Sequence, residues 1–317
     1  MQTDKTIQPT TKVKGSRNKK IREFKAFLMV LPFLVFTFIF AYLPLYGWVY
    51  AFYDLRPALG LAGSEFVGLR WFRMLVENPV RVQQITNVLQ NTFALSGLSI
   101  LFSWVPIAFA LLLQEVRVNS VKKGVQILTT LPHYISWILV FSMAFALFAN
   151  DGMFNNLLMN LGLIERPIAF LQSSNRVWST MTAWGIWKGL GWGAIIYLAA
   201  IAGIDQELYE AARADGAGRF RLIWHITIPG IIPTYTVLLL LAVANFLNTG
   251  FDQYFVFSNA FNLHRIQVLD LYVFNIGIHG GAFSFATTIS MLRSVISVAL
   301  LFAVNGFSKL VRGETII

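Results

Sequence analysis

Two cations sit where a cation is hard to keep. Lys188 and Arg293 each fall in the middle of a long apolar run. A charge at that depth in hydrocarbon is expensive, so it faces a cavity, a partner or a pathway. Two readings follow. Either a pathway favours an anionic or highly hydroxylated solute, such as an acidic oligosaccharide, or the cations are held by carboxylates or backbone carbonyls, including those of a second subunit. Polar and aromatic neighbours fit the first reading. Trp192, with Trp184 and Trp187, offers faces that stack on sugar rings or anchor at an interface. Asn245 and Asn248, with Asp252 and Tyr254 just beyond, can line a cavity for hydroxyl groups or bond across helices.

Other chemistries find no residues to carry them. The chain has no cysteine, which removes disulfides, thiolate metal sites and a cysteine nucleophile. His133, His225, His264 and His279 have no metal-ligand spacing, so no metal site is expected. No Gly-x-Ser-x-Gly nucleophile elbow occurs, and no Gly-x4-Gly-Lys-Ser/Thr phosphate loop.

The elements that position these residues are membrane spans. Of 317 residues, 56% are hydrophobic and 13% charged, about half the charged share of a soluble domain; mean hydropathy is +0.62. Six runs are long enough to cross about 30 Å of hydrocarbon, near residues 26–50, 88–113, 125–148, 177–201, 231–250 and 283–305. An all-α integral membrane protein is expected, with a basic tail over 1–25, a membrane domain over 26–310 and a short tail over 311–317. No Asp or Glu falls within the spans as placed, which argues against a proton-coupled carrier.

Residues 1–25 hold eight Lys/Arg against Asp4 and Glu23. Because a span follows at once, such a tail reads as a partner of anionic lipid rather than of nucleic acid, and it has no signal-peptide cleavage site. With this tail on the cytoplasmic side, cytoplasmic segments hold 16 Lys/Arg and external segments 7. That bias puts both termini in the cytoplasm of a multi-pass protein of the cytoplasmic membrane. Two external stretches, Phe66–Leu75 and Phe154–Gly162, read as short amphipathic helices that either pack at the interface or dock an external partner. Gly185, Gly189 and Gly193 recur every four residues, with Gly191 between. They suit close helix packing or, alternatively, local unwinding beside a pathway.

The most informative segment joins spans four and five, residues 203–230. Asp205 can cap a helix over 206–214; Gly216 and Gly218 end it; a second short helix is expected near 220–225, and Pro229 and Pro233 open the next span. Ala211 and Ala212 give a small, flat face that another protein can approach closely.

This loop resembles the signature of permeases of binding-protein-dependent ABC importers: Glu-Ala-Ala, three residues, Gly, nine residues, Ile, one residue, Leu-Pro. The chain has Glu210, Ala211, Ala212, Gly216, Ile226, Ile228 and Pro229 at those spacings, with Ile228 where Leu is usual. Leu208-Tyr209, Asp215-Gly216-Ala217, Asn91-Thr92, Phe251-Asp252-Gln253 and Asn305 are similar to the sugar-transporting branch, in particular to permeases for complex oligosaccharides such as alginate or pectin fragments. The resemblance implies a type I importer permease fold with a cytoplasmic coupling helix. Glu210, Ala211, Ala212, Asp215, Gly216, Ile226 and Pro229 would lie at the contact with an ATPase. It implies as partners a second, homologous permease subunit, two ATPase subunits and an extracytoplasmic solute-binding protein. ATP and Mg would be used by the ATPase, with no cofactor on this chain. The implied function is carbohydrate import; an ABC permease for another solute class, a secondary carrier and a membrane-embedded enzyme are the alternatives.

Overall fold

The computed structural model describes residues Gly15–Arg312. The first fourteen residues of the basic tail and residues 313–317 of the second tail lie outside them. The described chain forms two compact units, one up to Tyr50 and one from Ala51 onward. Among the described residues, six helical segments are long and apolar enough to cross a membrane: Arg22–Phe52, Pro79–Glu115, Trp137–Asn160, Ser174–Ala202, Arg219–Ala244 and Phe283–Gly306.

The first unit is α1 (Gly15–Thr37), which continues as a π-turn over Phe38–Tyr42 and a 3-10 stretch from Leu43. Pro32 and Pro44 sit within it, and α1 runs through Pro32 without a break.

The second unit opens on a hairpin that the sequence reading did not anticipate. β1 (Tyr53–Arg56) pairs antiparallel with β2 (Gly60–Phe66), matching Tyr53 with Phe66. Gly60 supplies the left-handed backbone of the turn, at φ +63°. Phe66 therefore lies in a strand, and the expected amphipathic helix is shifted to α2 (Arg70–Glu77). The hairpin is tied down by Trp71 Nε1, which donates to Tyr53 O at 2.9 Å.

The second span is α3 (Pro79–Leu101) and α4 (Val105–Glu115). Asn78 Oδ1 caps α3 by accepting from Val80 N and Arg81 N. The break between the helices has a local cause. Pro106 has no N–H for the Phe102 carbonyl, and Val105 N takes that carbonyl instead at 3.0 Å.

The single span expected over 125–148 is two helices, α5 (Asn119–Tyr134) and α6 (Trp137–Phe148), broken at Ile135-Ser136. Ser136 Oγ caps α6 by accepting from Leu139 N. The apolar segment runs on through α7 (Met153–Asn160), close to the second amphipathic stretch read from sequence.

α8 (Val177–Ala202) is unbroken, so its glycines do not unwind it. α9 (Gln206–Ala214) is the loop helix, with the bounds expected. The short helix expected after it is not separate. α10 (Arg219–Leu222) runs through a π-turn over Ile223–Thr227 into α11 (Ile228–Ala244). The widened turn lies just ahead of Pro229, whose missing N–H disrupts the ordinary ladder there. α11 ends at Ala244 rather than near 250, because Asn245 takes the cap and its Nδ2 donates to Leu241 O at 3.0 Å.

Three short helices follow, α12 (Asp252–Phe257), α13 (Leu263–Ile266) and α14 (Leu269–Phe274), and then α15 (Phe283–Arg312). Buried Asn91 on α3 holds this region by donating to His264 O and Gln267 O, while Thr92 Oγ1 accepts from Leu269 N. Among the described residues the core falls into three apolar clusters: Leu95, Val140, Met181 and Phe257 in one; Val88, Tyr272 and Phe285 in another; Ala110, Ala194, Tyr197 and Ile231 in the third.

Candidate coupling loop and translocation cavity

The loop helix is built by its two ends. At the start, Asp205 Oδ1 accepts from Glu207 N at 3.0 Å. At the end, Gly216 N donates to Arg213 O at 3.0 Å and Ala217 N to Ala212 O at 2.9 Å. Those two bonds, with Gly216 at φ +78°, make a Schellman stop. A side chain at 216 would meet no atom within 4 Å, so the demand for glycine there comes from the backbone alone.

α9 has two unlike faces. Gln206, Tyr209 and Arg213, at helical spacing, turn toward the ends of α4, α8 and α10. The Tyr209 hydroxyl and Thr227 Oγ1 share a hydrogen bond at 2.9 Å that fastens α9 to the π-turn before α11. Glu207, Leu208, Glu210 and Ala211 are exposed. Ala212 is half-buried; Asp215 and Gly216 are exposed at the stop. Ile226 and Pro229 lie on the π-turn and the first turn of α11. The arrangement is a short rigid lever, open on one side and hydrogen-bonded to a spanning helix on the other.

A cavity of about 470 Å³ lies among α3, α4, α8, α11 and α12. One wall is the stripe Gly185, Gly189 and Gly193. The four-residue spacing points to close packing, but a Cβ at Gly189 would meet nothing within 4 Å and one at Gly185 only the Gln253 side chain at 3.7 Å. Close packing holds at Gly191, where a Cβ would stand 2.4 Å from the Thr129 carbonyl, and at Gly193, where one would stand 3.1 Å from the Pro106 side chain. The other walls carry Ser96, Ser99, Ser103, Asn245, Asn248, Gln253 and Tyr254. Gln253 is fixed by donating to Met181 O at 2.7 Å. Burial pushes the Tyr254 phenol up to about 12, so it stays a neutral hydroxyl.

Of the expected pathway residues, Asn245, Asn248 and Tyr254 line this cavity; Lys188, Trp192, Asp252 and Arg293 do not. Lys188 Nζ donates to Pro132 O at 3.0 Å and His133 O at 2.7 Å, and lies 5.4 Å from the Trp137 ring centre. A cation on the last carbonyls of α5 satisfies the groups freed by the break at 135–136. Trp192 stacks on His133, with centroids 4.6 Å apart. Asp252 is exposed at the start of α12. Arg293 Nη1 is paired with Asp270 on α14. Sequence reasoning missed the serines and Gln253. Ser96, Ser99 and Ser103 fall on one face of the second span at helical spacing, a polar stripe that was there to be read.

The family described as the binding-protein-dependent transport system inner membrane component matches residues 94–308. Protein LplB of Bacillus subtilis is 40% identical over 285 residues, covering 89% of this chain and 88% of that protein. The polygalacturonan/rhamnogalacturonan transport system permease protein YteP of the same organism is 39% identical, covering 92% and 89%. Among solved structures, a chain of a bacterial ABC transporter involved in import of the acidic polysaccharide alginate superposes with a TM-score of 0.82 at 30% identity, covering 93% of this chain and 98% of that one. A chain of the bacterial alginate transporter in complex with its alginate pentasaccharide-bound periplasmic protein gives the same TM-score at 29% identity, covering 94% and 98%.

Proposed function

The chain belongs to the family of binding-protein-dependent transport system inner membrane components, and from that premise we propose that it is the permease subunit of an ATP-driven importer. Its cargo is a carbohydrate, an oligosaccharide or polysaccharide fragment of the acidic kind that pectin or alginate yields. The observation that carries the importer reading is α9: capped at Asp205, stopped at Gly216, open on its Leu208–Ala211 side and bonded to the start of α11 through Tyr209 and Thr227. Such a lever transmits the movement of a separate ATPase to the spanning helices. Glu210, Ala211, Ala212, Asp215, Gly216, Ile226 and Pro229 serve this contact.

The carbohydrate reading rests on the names of the relatives and on a cavity walled by hydroxyls, amides and glycine backbone. The hydroxyls and amides exchange hydrogen bonds with a hydroxyl-rich solute without requiring a charge, and the glycines leave it room. Asn245, Asn248 and Tyr254 contact it directly. Lys188, Trp192, Asp252 and Arg293 serve the pathway by holding its surroundings in place.

The rest of the machine follows from this reading. A second, homologous permease completes the passage. Two ATPase subunits use ATP and Mg on the cytoplasmic side, where both termini of this chain lie, and a solute-binding protein delivers cargo outside. This chain binds no nucleotide. The test is uptake by proteoliposomes containing the whole complex, with oligogalacturonate and oligoalginate as cargo. Accumulation that needs internal ATP and external binding protein is expected. Uptake that persists without ATP would overturn the proposal in favour of a carrier.

A further inference from the structure

Behind α9 lies a second crevice, of about 330 Å³, bounded by the ends of α4, α8 and α10 and open to solvent. Three guanidinium groups line it, from Arg117 after α4, Arg213 on α9 and Arg219 on α10. The lining holds one carboxylate, Glu115, 3.9 Å from Arg219 Nε. The side chains of Arg117 and Arg213 make no hydrogen bond or ion pair with any described residue. Tyr209 and Gln206 add a hydroxyl and an amide. Three arginines against one glutamate leave an excess of two positive charges around a space large enough for a small polyanion.

The crevice sits on the inner face of α9, with Gln206, Tyr209 and Arg213 at i, i+3 and i+7. Leu208, 54% exposed, and Ala211 point the other way. Arg117, Arg213 and Arg219 are exposed, so the crevice is open to a ligand from solvent. Arginine is the side chain whose planar fork binds phosphate oxygens in pairs.

We propose that this crevice is a binding site for a phosphate group, which bridges Arg213 on the lever to Arg117 and Arg219 and so clamps α9 to the ends of the spanning helices. A free cytoplasmic phosphate compound and the headgroup of an anionic lipid offer the same chemistry. Bound, the group restrains the movement of α9 and slows transport from the cytoplasmic side. Placing this face in the cytoplasm rests on the reading above; the binding itself does not.

The test uses the whole complex in lipid nanodiscs, with nucleotide sites filled by a non-hydrolysable ATP analogue. Radiolabelled inorganic phosphate and pyrophosphate are titrated in discs of phosphatidylcholine. In parallel, retention of phosphatidylglycerol through delipidation is measured by mass spectrometry. Arg117→Gln and Arg213→Gln are the variants, chosen because neither side chain holds the fold together. Loss of one charge-assisted pair is expected to weaken binding by about tenfold or more. Weakened phosphate or pyrophosphate binding in both variants assigns the site to a free anion, and lost phosphatidylglycerol retention assigns it to a headgroup. If both variants match the wild type in both arms, the proposal is overturned. This outcome would leave ATP-dependent sugar uptake untouched, so the two readings fail separately.

Discussion

Replacing Gly191 with alanine probes a close approach between α5 and α8. A Cβ at 191 would lie 2.4 Å from the carbonyl carbon and oxygen of Thr129 and 2.5 Å from Thr130 N. These are backbone atoms, so no rotamer change relieves the clash, and α5 and α8 must separate by roughly 1 Å to restore van der Waals contact. Overpacking of this kind costs about 1–3 kcal/mol, at the upper end when backbone has to move. Separation also draws Lys188, three residues away on the same face of α8, from the carbonyls of Pro132 and His133. Gly189→Ala is the matched control: the same helix, but nothing within 4 Å. Both variants gain the helix propensity of alanine, about 1 kcal/mol, so their difference reports the clash alone. The assay is the thermal midpoint of the purified complex in nanodiscs. With the clash at about 2–3 kcal/mol and about 2–4 °C per kcal/mol, Gly191→Ala is expected to melt roughly 4–12 °C below Gly189→Ala, which is itself unchanged or slightly higher than the intact chain. Equal midpoints for the two variants would refute the packing argument.

Lys188→Met removes two charged hydrogen bonds that close α5, worth about 1.5–3 kcal/mol each; uptake of neutral and acidic oligosaccharides should fall in parallel, and selective loss of the acidic cargo would show that Lys188 acts on charge in the pathway instead. Asp270→Asn leaves half-buried Arg293 without its anion and should destabilise the complex by about 1–3 kcal/mol; the swap Asp270→Arg with Arg293→Asp should recover part of the loss in the thermal midpoint, and a purely additive double variant would contradict the pairing. The Tyr254 phenol is raised from 10.0 to about 12 in the folded chain, so its contribution is complete below pH 10 and is lost as pH rises toward 12. The wild-type midpoint should therefore fall more steeply than that of Tyr254→Phe across this window, and identical slopes would mean that Tyr254 is solvated.

The loop helix was legible because its signals are local. Asp205, the small residues at 211 and 212, and Gly216 lie within a dozen positions, and capping chemistry acts over that range. The break in the third span was not legible, because the group that satisfies its freed carbonyls is Lys188, 55 residues from His133. The glycines of α8 mislead for a related reason. Periodicity selects 185, 189 and 193, whereas tertiary structure places α5 against 191 and Pro106 against 193 and leaves 189 beside open space. Depth alone marks Lys188 and Arg293 as expensive charges, but whether such a cation faces cargo or a carbonyl depends on neighbours remote in sequence. The hairpin of β1 and β2 was hidden in a stretch whose turn glycine, Gly60, sits among apolar residues that also suit a membrane interface.

The importer reading stands or falls on α9 coupling a separate ATPase to sugar passage through this chain. Its most direct test is ATP hydrolysis by the purified complex in lipid, with and without solute-binding protein loaded with oligogalacturonate or oligoalginate, in the intact chain and in Gly216→Pro. Proline cannot adopt the positive φ of +78° at 216 or donate to Arg213 O, so the variant loses the stop that fixes the lever. Strong stimulation by loaded binding protein is expected in the intact complex, and its loss in the variant while the subunits remain assembled. Equal stimulation in both, or solute uptake by this chain with no ATPase present, would contradict it.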